Sequence, residues 1–158
     1  MSYFCKNTKG AIMTVSDILE KRIQYRIKKS NDAVFMLTDF SDLSDKDQIM
    51  RALRKLIKKG LIVKVGQGVY VKAVKSLLSD DYVPVETLTD IGKSVARKLK
   101  IKVIPNRFEV WYNEGKSTQV PTGFVISVLG RIKRKIGFNG TYIKYETVRN
   151  QEKYYKYT

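Results

Sequence analysis

Histidine is absent from the sequence. That removes the side chain most often used as a general base near neutral pH, and the commonest metal-binding imidazole. Cysteine occurs once, at Cys5. No disulfide can therefore close within the chain, which suits a reducing compartment, and no Cys/His metal cluster can assemble. No apolar run approaches the ~20 residues of a membrane span. The opening "MSYFCKNTKGAIM" lacks the continuous apolar region of a signal peptide, so the expected location is the cytoplasm, with no membrane partner. A Walker-type phosphate loop and a G-x-S-x-G elbow are both missing. Asp80 and Asp81 are adjacent, with Glu86 nearby. Neighbours on an extended segment face opposite ways, so this trio reads as a turn and not as a metal site. The expectation is a non-enzyme, with no catalytic residue, metal or cofactor.

Acidic residues are also scarce. The 158 residues hold 31 Lys+Arg against 15 Asp+Glu, a formal net charge of +16. A globular chain this basic usually meets a polyanion. The excess is not confined to a tail: residues 1–76 carry 16 bases and 7 acids, and residues 77–158 carry 15 and 8. Hydrophobic content of 43% is ample for a packed core and argues against wholesale disorder. The length allows one domain or two small ones.

The first half reads as an ordered series of elements. "TVSDILEKRIQYRIKKS" is a helix pattern, with Thr14 or Ser16 as its cap and Asp17 in the first turn. Ile18, Leu19, Ile23 and Ile27 lie on one arc. "AVFML" (Ala33–Leu37) is a short buried strand, and Thr38 is the expected cap of a short helix carrying Phe40 and Leu43. "SDKD" (Ser44–Asp47) has capping-box spacing and opens the clearest helix, Asp45–Lys59. Ile49, Met50, Leu53, Leu56 and Ile57 share one face. Asp47, Gln48, Arg51, Arg54, Lys55 and Lys58 share the other. Gly60 ends the helix, with Leu61 beyond it. "LIVKV" and "GVYVK" then flank "GQG" as a hairpin, in which Val63, Val65, Val69 and Val71 alternate with Lys64, Tyr70 and Lys72. Helix, strand, short helix, basic helix and hairpin form the order of a winged helix-turn-helix. In that arrangement the long helix enters the major groove and the wing touches the backbone or the minor groove.

The second half offers architecture without chemistry. "SLLSDDYVPVETLTDIGKSVARKLKI" contains a helix, with Pro84 expected near its start and Leu88, Ile91, Val95 and Leu99 at helical spacing. From Lys102 onward strand signals dominate. "RFEVWYNEG" alternates, "TGFVISVLG" is an apolar run, and "RIKRKIGFNGTYIKYETV" reads as two strands around the hairpin signal Asn139-Gly140. The expected fold is α+β: an N-terminal winged helix-turn-helix over residues 14–76, a small α+β domain with an antiparallel sheet over 77–150, and a tail over 151–158.

Three stretches resemble the AbiEi-like antitoxin group, bacterial winged-helix proteins of the type IV toxin–antitoxin class. They are "VFMLTDFSDL", "RALRKLIKKGLIVKVGQGVYVK" and "STQVPTGFVISVLGRIKRKIGFNGTYIKY". The similarity covers about Val15 to Glu146. "STQVP" (Ser117–Pro121) is its most specific piece, followed by the wing's Gly66, Gly68 and Tyr70. The resemblance implies a repressor that binds inverted repeats in its own promoter through a recognition helix at Lys46–Lys58 and a wing at Lys64–Tyr70. It also implies a cognate toxin of nucleotidyltransferase type as partner. The chain departs from the group in stopping soon after the last strand, and in carrying "WYNEGK" before "STQVP".

The expected duplex-DNA contacts are Thr38, Lys46, Gln48, Arg51, Arg54, Lys55, Lys58, Lys64, Gln67 and Tyr70. Arginine and lysine suit phosphates and guanine edges, and glutamine suits adenine. A secondary contact, with nucleic acid or a protein partner, is expected at Arg131, Lys133, Arg134 and Lys135, which equally fit the polar face of an edge strand. Two other functional classes fit the composition. One is a protein-interaction module that binds or inhibits an acidic partner, and the other is an RNA-binding protein that uses the basic sheet and the tyrosine-rich tail.

Overall fold

In the computed structural model, which describes residues 5–6, 12–116, 118 and 124–156, the chain divides into two units, Met1–Val85 and Glu86–Thr158. The fold is α+β. Most of "STQVP" lies outside the described residues.

The first unit opens with β1 (Cys5–Lys6) and β2 (Ile12–Met13), an antiparallel pair. Helix α1 (Val15–Lys29) follows. Thr14 caps it through a reciprocal box: its Oγ1 accepts from the Asp17 amide at 3.2 Å, and the Asp17 carboxylate accepts from the Thr14 amide at 3.0 Å. That Thr14 amide, with help from the Thr14 hydroxyl, holds the Asp17 carboxyl below its ordinary pKa. Strand β3 (Val34–Met36) leads into a 3-10 turn at Leu37–Phe40. Thr38 lies inside this turn and does not cap it. The capping contact instead runs from the Met36 amide to Asp39 Oδ2, at 2.9 Å.

Helix α2 (Lys46–Lys58) starts one residue later than its sequence spacing suggests. Asp45, not Ser44, is the cap, and its carboxylate accepts from the Gln48 amide at 2.9 Å. A charged acceptor is favoured at the positive end of a helix. The helix ends in a Schellman motif. The Gly60 amide donates to the Ile57 carbonyl at 3.0 Å, and the Leu61 amide donates to the Leu56 carbonyl at 3.1 Å. Gly60 has φ +74°, and a Cβ there would lie 2.3 Å from the Tyr82 ring. Conformation and space both require glycine.

Strands β4 (Ile62–Gly66) and β5 (Val69–Lys75) form the hairpin, and β3 pairs with the other edge of β5. The chain then returns as β6 (Tyr82–Pro84), antiparallel to the far end of β5. Pro84 is therefore the last residue of an edge strand, not a helix start, and the first unit runs past Ser76 to Val85. A proline on an edge strand leaves no ladder bond unmade. The core packs Leu19, Ile23 and Ile27 of α1 with Ile49, Ala52, Leu53 and Leu56 of α2, and with Phe35, Phe40, Ile62 and Tyr70. Each fully buried aliphatic side chain contributes about 1.5–3 kcal/mol.

In the second unit, Thr87 caps α3 (Leu88–Lys98) by accepting from the Asp90 amide. After β7 (Val103–Ile104) comes α4 (Arg107–Asn113), where alternation had suggested a strand. The helix wins because Asn106 and Glu109 form a capping box: the Glu109 amide donates to Asn106 Oδ1 at 2.8 Å, and the Asn106 amide donates to the Glu109 carboxylate at 2.9 Å. Then come β8 (Val125–Val128), β9 (Ile136–Phe138) and β10 (Thr141–Thr147). Asn139 and Gly140 have φ of 51° and 79°, the two positive values a type I′ hairpin turn needs.

The sheet is mixed. β10 pairs antiparallel with β9 but parallel with β8, and β7 lies antiparallel along the other edge of β8. The expected antiparallel sheet is corrected on this point. The segment 131–135 is a loop rather than a strand, so β9 begins only at Ile136. Ile91, Val95 and Ala96 of α3 are buried with Ile126, Val128, Ile136 and Ile143 of the sheet strands. The last described residues form α5 (Gln151–Lys156), which folds back onto the unit. The Tyr154 hydroxyl donates to Glu146 at 2.9 Å and accepts from the Arg107 amide at 3.1 Å.

Candidate nucleic-acid interface

The outer face of α2 carries Asp47, Arg51, Arg54 and Lys58 at spacings of i, i+4, i+7 and i+11. All four are exposed, and the spacing puts them on one stripe. From Arg51 to Lys58 the stripe runs along about 10 Å of helix. The opposite face is fixed by Ile49, Ala52, Leu53 and Leu56, none more than 2% exposed. The helix therefore cannot roll, and its cations point in one direction. Among the described residues, Arg51, Arg54 and Lys58 have no side-chain hydrogen bond or ion pair. Three unpaired cations on a rigid helix are ready to take phosphate oxygens or base edges.

Lys55, and Lys59 at the C-cap, are engaged differently. Lys55 donates to Ser16 Oγ at 2.9 Å and stands 3.9 Å from the Asp17 carboxylate. Lys59 pairs with the buried carboxylate of Glu20. Both lie on the shoulder of α2 that faces α1, so Lys55 leaves the set of outward cations. Lys72, on β5, donates to the Ser30 carbonyl at 2.7 Å.

Asp45 and Arg26 position the start of α2. Arg26 forms a two-pronged pair with Asp42, at 2.6 and 2.9 Å, and also donates to the Asp39 carbonyl at 2.8 Å. One guanidinium thus clamps the turn before α2 onto α1. Planar bidentate geometry of this kind is specific to arginine. The pairing raises the Arg26 pKa and lowers that of Asp42, chiefly through the hydrogen bonds between them. Sequence spacing gave no sign of this clamp, because its partners lie 16 residues apart.

The hairpin completes the surface. Gln67 is exposed at its tip, and Gly68 alone of the two tip glycines has a left-handed φ, +68°. The Gly68 carbonyl accepts from the Leu37 amide at 3.2 Å, which ties the tip to the 3-10 turn. Lys64 is exposed on β4, directly across the ladder from Tyr70. Tyr70 itself is corrected: it is 4% exposed and belongs to the core, so it offers no face to DNA. Burial pushes its hydroxyl pKa up, while the nearby Arg54 charge pulls it down. Lys64 is thus the hairpin residue opposite Tyr70, and the charge of Arg54 acts on the same tyrosine from the helix. Thr38 and Lys46 are exposed on the 3-10 turn and the first turn of α2, and Gln48 is half-buried there.

In the second unit, Arg131, Lys133, Arg134 and Lys135 are exposed on the loop before β9. Lys135 stands 4.2 Å over the Tyr142 ring, a cation–π contact. No regular element aligns these four side chains. Among the described residues, no group of His, Cys, Asp and Glu could hold a metal ion, and no helix is long and apolar enough to cross a membrane.

The chain belongs to a family of unknown function, DUF6088, which matches it over residues 19–152. No curated protein and no solved structure matches the chain.

Proposed function

We propose that this member of the family is a double-stranded-DNA-binding transcriptional regulator. In this reading Val15–Lys75 acts as a winged helix-turn-helix, α2 is the recognition helix, and the β4–β5 hairpin is the wing. One observation carries it. Arg51, Arg54 and Lys58 are the outward, unpaired cations of a helix whose other face is locked into the core. An α-helix fits the major groove of B-DNA, where arginine can bridge guanine O6 and N7. Lys46, Lys64 and Gln67 would add contacts from the helix start and the wing, and Thr38 from the 3-10 turn.

The likeness to the AbiEi-like antitoxin group supports a more specific role: a cytoplasmic antitoxin that represses its own promoter at inverted repeats and faces a nucleotidyltransferase-type toxin. The basic loop at Arg131–Lys135 would then serve as a secondary contact to nucleic acid or to that partner.

Fluorescence anisotropy tests the reading, using the duplex upstream of the protein's own gene and a scrambled duplex of equal length. At about 150 mM salt, where screening acts over about 8 Å, the upstream duplex is expected to bind at least tenfold more tightly. If about five phosphates are neutralised, the logarithm of affinity falls with a slope of about −4 to −5 against the logarithm of salt. Equal affinity for both duplexes, or none for either, removes the sequence-specific regulator and leaves a protein-binding module.

A further inference from the structure

Two features of the first unit have no place in a DNA-reading surface. The first is a groove of about 650 Å³ beside α1. It is lined by the apolar Ile18, Tyr25 and Leu43 and by the cations Lys21, Arg22 and Lys29. Ile18, Arg22, Tyr25 and Lys29 lie along one stripe of α1, and Tyr25 is 65% exposed. Lys29 sits 5.6 Å over the Tyr25 ring, which keeps that charge beside the apolar surface.

The second feature is the turn between β5 and β6. Leu77 and Leu78 are fully exposed there, at 102% and 99%. The turn is held in shape, which presents both leucines outward. The Ser76 amide donates to the Asp81 carbonyl at 2.9 Å, and the Leu78 and Asp81 amides donate to Ser76 and Ser79 hydroxyls. Asp80 and Asp81 flank the leucines, and both are exposed. Lys75 and Asp80 pair only loosely, at 3.6 Å between exposed groups.

We propose that the Leu77–Leu78 turn of one chain seats in the α1 groove of a second copy. The two surfaces complement each other in both shape and charge. One is an apolar knob with an acidic flank, and the other is an apolar groove with a basic rim. The groove has room for both leucyl side chains. Asp80 and Asp81 would meet Arg22 and Lys29, an arrangement that favours this register over others. A pair of such contacts about a two-fold axis closes into a dimer in which each chain gives one knob and one groove. DNA is the less suitable occupant, because a phosphate backbone gains nothing from the isoleucine, tyrosine and leucine of the groove. The inference does not depend on DNA binding, since its test contains no DNA.

The experiment is sedimentation velocity on the full chain from about 1 to 100 μM, at about 150 mM salt. The wild type is expected to shift from monomer to dimer across this range. The double variant Leu77→Ser/Leu78→Ser and the double variant Arg22→Glu/Lys29→Glu are each expected to weaken dimerisation at least tenfold. All four side chains lie on the surface, and far-UV circular dichroism checks that both variants keep the wild-type fold. An equimolar mixture of the two variants restores one intact contact, between the unaltered turn of the second and the unaltered groove of the first. It is therefore expected to dimerise more strongly than either variant alone. A wild type that stays monomeric throughout, or a dimer that neither variant weakens, overturns the proposal. Binding of another protein's acidic helix to the groove of a monomeric wild type would overturn it too.

Discussion

The two units carry nearly equal shares of the positive charge and use it differently. In the first, three cations stand on a helix that the core holds in one orientation. In the second, Arg131, Lys133, Arg134 and Lys135 sit on a loop with no regular repeat to align them. Charge excess by itself raises the local concentration of any polyanion. A recognition surface also needs fixed spacing, which packing supplies to α2 and not to the loop at 131–135. The second unit also turns a few polar groups inward. Ser127, 1% exposed, bonds to Glu146 and to Tyr154, each at 3.0 Å, and this network pins α5 to the sheet.

The sharpest way to break this contrast is to remove what orients α2. Leu53→Ala deletes a side chain with no exposed surface and is expected to destabilise the protein by about 2–5 kcal/mol. Hydrogen exchange should show the loss of protection in the first unit and much less in the second. Tyr70→Phe asks whether the hairpin tyrosine serves the core or the ligand. Its ring is core, so affinity for the upstream duplex should stay within about twofold, while Tyr70→Ala should cost about 3–5 kcal/mol in a denaturant melt.

Arg54→Ala should weaken specific duplex binding by about 1–3 kcal/mol if the side chain reads a base, with stability nearly unchanged. Lys55→Ala is the matched control one residue along. Its side chain faces Ser16 and Asp17, so anisotropy should register little change, and stability should fall by no more than about 1 kcal/mol. Comparable losses of affinity in both variants would mean that the helix presents a different face.

A smaller effect separates the units by pH. Burial pushes the Tyr145 pKa up to about 12 in the folded second unit, where its hydroxyl donates to the Gly92 carbonyl at 2.7 Å. The unfolded value is about 10. A raised folded pKa means that the stabilisation is fully present below pH 10 and is lost as pH rises toward 12. Urea melts of the wild type should weaken across that window. Tyr145→Phe removes this contribution, so its stability should fall less steeply; parallel slopes would contradict the assignment.

Much of the first unit was legible because its signals are local. The 3.6-residue pattern of α2, the glycine at position 60 and the β-branched runs around "GQG" each act within a few residues. The helix ends were harder. Ser44 and Asp45 can both cap, and the choice shifted the start by one residue. At α4, alternating residues suggested a strand, yet the capping box at Asn106 and Glu109 was present in the sequence and outweighed the alternation. In the candidate site, Arg51, Arg54 and Lys58 were placed outward from periodicity alone. Lys55 and Tyr70 were not separable from them by sequence, because what distinguishes them is a partner far along the chain.

The sequence by itself therefore determined the basic character of the chain, the α+β content and the stripe of cations along α2, since these follow from composition and from periods of 3.6 and 2. Tertiary structure alone decided which cations remain unpaired, that Tyr70 is core, that β8 runs parallel to β10, and that β6 extends the first unit. Each of these depends on contacts between residues distant in sequence, which no local pattern encodes.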